Sequence, residues 1–227
     1  MGLLLLLLLL AATAATTTAE NWALLAAGSS GYGNYRHQSD VAAAFRLVTE
    51  KGGIAKENVV LMMADDIAHS VHNPVQGSII HRPDGPNNWP AIKDHIDYAG
   101  KHATAANFLA ALRGDSLAAS GGSGRVLGSG ADDRVFVYYS GLGCPLAPEI
   151  PRAPGIDERP AQCCFNGWVL DCPSDAEGVV GMGSGPHLNA TSLAGALKAM
   201  HKQSAYGKLV MVRPPSSSSP PRPLASS

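Results

Sequence analysis

NWALLAAG, residues Asn21–Gly28, decides the fold, because it is an apolar run of strand length that ends in a glycine. Apolar residues at helical spacing then predict a helix from Asp40, its N-cap, to Gly52. A second apolar run, Asn58–Ala64, ends in two aspartates. This strand–helix–strand order is typical of a βαβ unit and predicts a parallel sheet.

Working outward, the same criteria predict two more helices and two more strands. Residues Ile67–His102 are rich in Pro, Gly, Asn and His and have no sustained period, which predicts a long surface excursion. A helix follows at Thr104–Arg113, capped by Thr104, so the tripeptide RGD that begins at Arg113 closes a helix. We expect the third strand at Arg134–Tyr139, a helix at Thr191–Gln203 and the fourth strand at Lys208–Val212.

Three segments do not fit this α/β pattern. Residues 1–19 contain an unbroken leucine run, Leu3–Leu10, which is typical of a signal peptide and shorter than the roughly 20 residues of a membrane span. Residues 141–177 form an irregular insert rich in proline that holds all four cysteines, and residues 213–227 form a Pro/Ser tail that we expect to be disordered. Residues 20–140 and 178–212 are therefore the two parts of one α/β domain, and Asn189 in Asn-Ala-Thr is a candidate glycosylation site.

Composition restricts the partners. A net charge of −1 provides no basic field for nucleic acid, and we predict neither a nucleic-acid partner nor a stable membrane span. Five histidines between the second strand and the second helix lack the paired spacing of a zinc site, so no metal or cofactor is predicted: His69, His72, His81, His95 and His102.

The turn after the first strand, GSSGYGNYRHQSD, permits two interpretations. Its glycines, Gly28, Gly31 and Gly33, follow the order G-x-x-G-x-G instead of the dinucleotide fingerprint G-x-G-x-x-G. A nucleotide-binding α/β protein, with Asp65 as the ribose-binding acid, therefore stays as a weak alternative. The other interpretation uses the polar side chains of the same turn.

Long runs in this chain resemble the legumains, the asparaginyl cysteine endopeptidases of vacuoles and lysosomes. The runs are NYRHQSD, VVLMMADDIAHSVHNPVQGSIIHRPDG, DYAGKHATAANFLAALRGD and DDRVFVYYS, and GVVGMGSGPHLNATSLAGALKAMHKQSAYGKLV resembles the plant-type members. The resemblance implies a caspase-like α/β fold with a largely parallel sheet flanked by helices, a Cys/His protease mechanism, and a place in the secretory pathway, in a vacuole or lysosome. The expected partner is a peptide or protein substrate that contains Asn.

Residue by residue, the resemblance carries over only in part. Asn34 matches the asparagine that assists catalysis, and Arg36 and His37 match residues of the pocket for a substrate Asn. The family's Asp-His-Gly turn is replaced by Gly141-Leu142-Gly143, and its Glu-Ala-Cys continuation is replaced by Arg213-Pro214-Pro215-Ser216. We therefore expect a chain of legumain lineage that is truncated after the fourth strand, interrupted by an irregular insert, and inactive.

A non-enzymatic, peptide-binding pseudoprotease is the main alternative to an enzyme. Ser216 lies near the position of the nucleophile by count, and Cys144 lies near that of the histidine, but a thiol protease needs a thiolate and a base within hydrogen-bonding reach. Both departures from the family begin abruptly, at the start of the insert and after Val212. We hypothesise that they are non-family sequence, such as retained intron.

Overall fold

A parallel sheet of five strands forms the centre of the protein. The computed structural model describes residues 18–141, 188 and 190–212. The strands are β1 (Asn21–Gly28), β2 (Val59–Met63), β3 (Tyr98–Ala99), β4 (Arg134–Gly141) and β5 (Lys208–Val212). They lie in the order β3-β2-β1-β4-β5, and every neighbouring pair is parallel. The predicted α/β sheet is confirmed, with one short strand, β3, that the sequence pattern did not indicate.

Helices cover both faces of this sheet, as buried parallel sheets require. They are α1 (Tyr35–Arg46), α2 (Trp89–Ile92), α3 (Ala105–Arg113) and α4 (Ala190–Lys202). Helix α1 continues into one wide π turn, Leu47–Lys51, and short 3-10 turns lie at Tyr32–Asn34, Lys56–Asn58 and Gly100–His102.

Alternate residues of each strand supply two separate cores. Leu24 and Ala26 of β1 face α3 and α4, and they pack with Phe108, Leu112 and Met200. The residues between them face α1, and this second core consists of Ala23, Leu25, Ala27, Val41, Phe45, Leu61 and Met63 together with their neighbours. The period of two along β1 therefore assigns each helix to one face.

Helix α1 begins earlier than the sequence predicted. Its first residue is Tyr35 and its N-cap is Asn34, so Asp40 lies inside the helix and is not the cap. The first turn consists of polar residues, of which His37 and Gln38 are buried against other polar groups. A search for apolar residues at helical spacing misses a helical turn whose buried residues are polar.

The segment 67–102 is more ordered than the predicted surface excursion, because parts of it are buried. Asn73 fixes the first loop of this segment. Its side-chain amide donates to the carbonyl oxygens of Ile67, Ala68 and Ser78. Asp97 holds its end, where the carboxylate accepts from the amide nitrogen of Leu61 at 3.0 Å. Side-chain bonds to backbone produce no sequence period, so the pattern indicated only a loop.

The later elements follow the prediction closely. The Thr104 hydroxyl accepts from the amide nitrogen of Asn107 at 3.1 Å and caps α3 as expected. Gly114 ends this helix with a φ of 71°, a left-handed conformation that favours glycine. The tripeptide RGD is thus a helix end. Strand β5 has the predicted bounds, and α4 differs from its prediction by one residue at each end.

Strand β4 continues two residues beyond its predicted end at Tyr139, so Gly141 belongs to the sheet and not to the predicted insert 141–177. The remaining residues of the insert lie outside the described residues, as do most of the signal peptide, the glycosylation site Asn189 and the Pro/Ser tail. Within the ranges that the structure describes, no helix has both the length and the apolar character needed to cross a membrane.

Replacing a core leucine should test the two-sided core. Leu24 is fully buried in β1, whereas Leu117 is almost fully exposed in the turn after α3. Leu24→Ala should lower the free energy of unfolding by about 3 kcal/mol, because it removes buried methyl groups and leaves a cavity. Leu117→Ala, the same chemical change at the surface, should alter it by no more than about 0.5 kcal/mol. Urea denaturation of both variants measures this, and equal effects would contradict the assignment of the core.

Candidate functional site

The candidate site lies where the carboxyl ends of β1 and β4 meet. Gly28 and Gly141, the last residues of these strands, are paired in register. The chain leaves β1 through α1 to reach β2 on one side, while β4 lies on the other side of β1. A parallel sheet that changes direction in this way has a crevice at the carboxyl ends of the two strands, and ligands bind there in proteins of this class.

The turn after β1 brings the sequence-predicted residues to this crevice. Gly31 has a φ of 79°, which favours glycine, and the 3-10 turn Tyr32–Asn34 then leads directly into α1. The Asn34 side-chain amide donates to the carbonyl oxygen of Ser30 at 3.0 Å, and its backbone nitrogen donates to Gly31 at 3.0 Å. Both bonds hold Asn34 against the turn at the tip of β1.

His37 is buried between two partners, and these partners determine its tautomer. Its Nε2 atom lies 3.1 Å from Arg36 Nη2, and its Nδ1 atom lies 2.5 Å from the Ser29 hydroxyl. A guanidinium nitrogen can only donate, so Nε2 must accept and the ring must carry its single proton on Nδ1. His37 therefore donates to Ser29, which is the reverse of the arrangement in which a histidine activates a serine nucleophile.

Electrostatics favours the same neutral ring. Burial lowers the pKa of His37 below its ordinary value, and the nearby Arg36 lowers it further, while Asp40 opposes the shift. Arg36 itself is exposed at the surface of the crevice. The pair thus consists of an accessible guanidinium whose position is fixed by a neutral imidazole beneath it.

A carboxylate occupies the glycine turn. Asp66 Oδ2 accepts from the backbone nitrogen of Gly31 at 2.7 Å, and Asp66 Oδ1 accepts from the Gln38 side chain at 2.6 Å. The Gln38 carbonyl oxygen accepts in turn from the backbone nitrogen of Asp65 at 2.9 Å. Because a negative charge already bonds to the turn, a phosphate group would meet repulsion there, which weighs against the nucleotide-binding alternative.

Asp65 extends the acidic character of this edge. It adopts a left-handed conformation with a φ of 57°. Desolvation raises the pKa of its carboxyl group to about 6, and the neighbouring Asp66 contributes to this shift while His69 opposes it. The first carboxyl after β2 thus takes up protons at a mildly acidic pH.

A second polar network joins α1 to the end of β4. The Ser140 hydroxyl donates to Asp40 Oδ2 at 2.7 Å, and Asp40 Oδ1 lies 3.3 Å from His81 Nδ1. Burial raises the pKa of Tyr138 to about 12, and the charge of Asp40 adds to this effect. Asp40, predicted only as a helix cap, instead fixes the end of β4 against α1.

The structure therefore brings Asn34, Arg36 and His37 together on one turn at the switch point. Cys144, Ser216 and Asn189 lie outside the described residues, as do positions 142 and 143 of the replaced family turn. Sequence analysis did not identify Ser29, Asp66 and Ser140 as partners of the turn, and it gave Asp40 only a capping role. Ser29 directly follows the apolar run of β1, and Asp66 ends the pair of aspartates after the second apolar run, but neither position indicated its partner.

A family model and similar curated proteins indicate the same protein family. The model of the Peptidase C13 family matches residues 21–160. The chain is 39% identical over 190 residues to the vacuolar-processing enzyme beta-isozyme of Arabidopsis thaliana, covering 84% of this chain and 32% of that protein. It is 40% identical over 189 residues to a vacuolar-processing enzyme of Vicia sativa, covering 83% and 31%. It is also 45% identical over 135 residues to legumain of Canavalia ensiformis, covering 60% and 28%.

These matches define how far the similarity extends. The aligned part spans about a third of the length of the curated relatives. The activity, substrates and partners of the whole relatives are therefore matters for proposal in this chain.

NMR spectroscopy should show that the His37 ring is neutral and carries its proton on Nδ1. Because the pKa of His37 is lower in the folded chain than in the unfolded chain, the neutral ring stabilises the folded state. The stabilisation by His37 is fully present above a pH of about 6.5 and should be lost as the pH falls below that value. Two-bond nitrogen–proton spectra distinguish the tautomers, and Ser29→Ala should weaken the preference for Nδ1. Ser30→Ala is the control, since it removes the hydroxyl of the next residue and keeps the Ser29 hydroxyl that accepts from His37. A proton on Nε2 would contradict the assignment.

Proposed function

We propose, because the chain belongs to the Peptidase C13 family, that residues 28–40 form the substrate-recognition turn of a legumain-type cysteine endopeptidase. In this proposal Arg36 binds the side chain of a substrate Asn, the buried His37 holds the Arg36 guanidinium in position, and Asn34 occupies the assisting position of the catalytic group. In its present sequence the polypeptide of 227 residues does not hydrolyse such peptides.

The observation that carries the proposal is the Arg36–His37 pair. The guanidinium is exposed at the sheet's switch point, and the neutral His37 ring accepts from it at 3.1 Å. Since His37 is itself held by Ser29, Arg36 is positioned before a ligand arrives. Preorganised donors lose little conformational entropy on binding, which favours recognition of a small polar side chain.

The chemistry of the pair suits an uncharged amide. A guanidinium donates through several N–H groups and can bond to the carbonyl oxygen of an Asn side chain. Asp65 and Asp66 lie at the same edge of the sheet, beyond β2, and their negative charge disfavours an acidic side chain. This combination supports Asn over Asp as the preferred residue at neutral pH, and the preference should weaken as the pH falls through about 6, the raised pKa of Asp65.

Recognition alone does not accelerate hydrolysis. In the family that this chain resembles, the histidine follows the strand equivalent to β4 and the cysteine follows the strand equivalent to β5. Here those positions read Gly141-Leu142-Gly143 and Arg213-Pro214-Pro215-Ser216. Removing one member of a catalytic unit abolishes most of its rate acceleration, and binding a ground state does not lower the barrier.

A non-enzymatic, peptide-binding role is the second candidate, and the same geometry favours it. Hydrogen bonds of Asn34, Gln38 and Asp66 hold the turn, whereas the His37 ring donates to Ser29 and accepts from Arg36, so neither ring nitrogen is available as a base. A binding protein needs only the first of these features. We place either form in the secretory pathway and the vacuole, on the leucine run Leu3–Leu10 and on the names of the relatives.

An Asn-containing peptide should bind to the purified chain without being cleaved. Arg36→Ala should weaken this binding about tenfold, because a hydrogen bond from a charged donor contributes on the order of 1.5 kcal/mol or more. Arg113→Ala is the matched control: Arg113 ends α3, which packs on the opposite face of the sheet, and its removal should not change the affinity. Titration calorimetry measures binding, and mass spectrometry of the same peptide detects cleavage.

Two outcomes would overturn the proposal. Cleavage after Asn that disappears in Cys144→Ala or Ser216→Ala would reveal a substitute nucleophile in this chain. Equal affinity for Asn, Asp and Ala peptides, with no effect of Arg36→Ala, would remove the recognition role of the turn.

A further inference from the structure

The residue before β1, Glu20, is held by the fold at three points. Its backbone nitrogen donates to Asp133 Oδ1 at 2.7 Å. Its carbonyl oxygen accepts from the backbone nitrogen of Arg134 at 2.9 Å, and its carboxylate accepts from the Asn58 side-chain amide at 3.1 Å. The two residues before Glu20 are exposed. The amino end of the sheet therefore starts at Glu20.

Asp133 is a half-buried carboxylate whose hydrogen-bond donors are neutral. Its Oδ2 atom accepts from the backbone nitrogen of Gly130 at 2.8 Å, beside the bond from Glu20. Among the residues that the structure describes, no lysine, arginine or histidine forms a salt bridge with Asp133. Burial raises the pKa of Asp133, but the two backbone bonds outweigh it and keep the pKa below its ordinary value. The carboxylate is thus ionised and lacks a cationic partner.

The sequence places a cleavage signal directly before Glu20. Residues 1–19 have the pattern of a signal peptide, with Thr17 and Ala19 at the third and first positions before Glu20. Small residues at these two positions are what signal-peptide cleavage requires. The nitrogen of the bond that this pattern selects is the nitrogen that lies 2.7 Å from Asp133.

We propose that Asp133 binds the α-ammonium group that forms when the Ala19–Glu20 bond is hydrolysed. A peptidase that removes signal peptides supplies the step, with one water molecule as co-reactant. The bond between the Ala19 carbonyl carbon and the Glu20 nitrogen breaks. The water oxygen becomes part of the Ala19 carboxylate, and both water protons go to the nitrogen. A neutral donor thereby becomes a cation in the same place.

The fold prepares this ion pair before the cleavage occurs. The carbonyl group of Glu20 is bonded to β4 and its side chain to the 3-10 turn before β2, so the nitrogen needs no rearrangement to stay at Asp133. A hydrogen bond between two charged groups is stronger than one from a neutral amide. Cleavage therefore tightens the start of β1. The proposal concerns the amino end of the sheet and is independent of peptide binding at its carboxyl end.

Secretion of the full chain from a eukaryotic host tests the cleavage. Mass spectrometry should show that the secreted chain begins at Glu20. Ala19→Leu should abolish cleavage at this bond, because the position before the cut accepts only a small residue. Ala19→Gly is the matched control, since it keeps a small residue and should still be processed. A wild-type chain that begins at another residue, or that keeps its leader, would overturn the proposal.

The pKa of the Glu20 amine tests the ion pair in the secreted chain. It follows from the pH dependence of acetylation, measured by mass spectrometry of the N-terminal peptide. A nearby carboxylate raises the pKa of an amine above its ordinary value of about 7.7–8.0, whereas burial alone lowers it. At a pH of about 7.5, acetylation should be at least about threefold slower in the wild type than in Asp133→Asn. Asp132→Asn is the matched control: this neighbouring carboxylate is exposed, and the variant should react at the wild-type rate.

The same amine in the chain unfolded by urea is a second reference, so the test does not require Asp133→Asn to fold. Because the pKa is raised in the folded chain, the ion pair stabilises it fully below a pH of about 7.8, and this stabilisation is lost as the pH rises through the raised pKa. An amine whose pKa is equal or lower in the folded chain would overturn the proposal. Equal effects of Asp132→Asn and Asp133→Asn would do the same.

Discussion

The rest of the structure depends on the burial of β1 on both faces. Its residues from Ala23 to Ala27 are almost completely inaccessible to solvent, and both of its edges are paired. A strand in this position must be apolar along its whole length, and its small alanines let helices approach closely on each side. Because both edges of β1 are paired and both of its faces are packed, the turn that follows Gly28 starts from a rigid strand.

Buried polar groups fix the geometry of the turn after β1, residues 28–40. His37 and Gln38 are buried, and each has its hydrogen-bonding partners inside the protein. A buried polar group without partners costs free energy, so such a network permits few alternative arrangements. The same bonds connect the ends of β1 and β2, while the bond from Ser140 to Asp40 adds the end of β4. Three strand ends are thereby held around one turn.

Sequence analysis predicted the parts of the fold that follow an apolar period. It identified β1, α3 and β5 correctly. The site roles that the resemblance implies for Asn34, Arg36 and His37 stay predictions. Sequence analysis missed β3, whose two residues are too few to show a period, and it began α1 at Asp40 instead of Tyr35. It also missed Asp66 and Ser140, because their partners are distant along the chain and side-chain bonds to remote residues leave no local pattern.

The paired glycines at the ends of β1 and β4 limit which side chains the crevice can accept. A side chain at position 141 would contact the hydroxyl of Tyr139 and would approach the Cα atom of Gly28 to 3.0 Å. Tyr139 is itself buried, so it has little room to withdraw. Any larger residue at position 141 would therefore require Tyr139 or the Gly28 backbone to shift. The two glycines set a steric limit, because neither strand end can gain a side chain without an adjustment of the other.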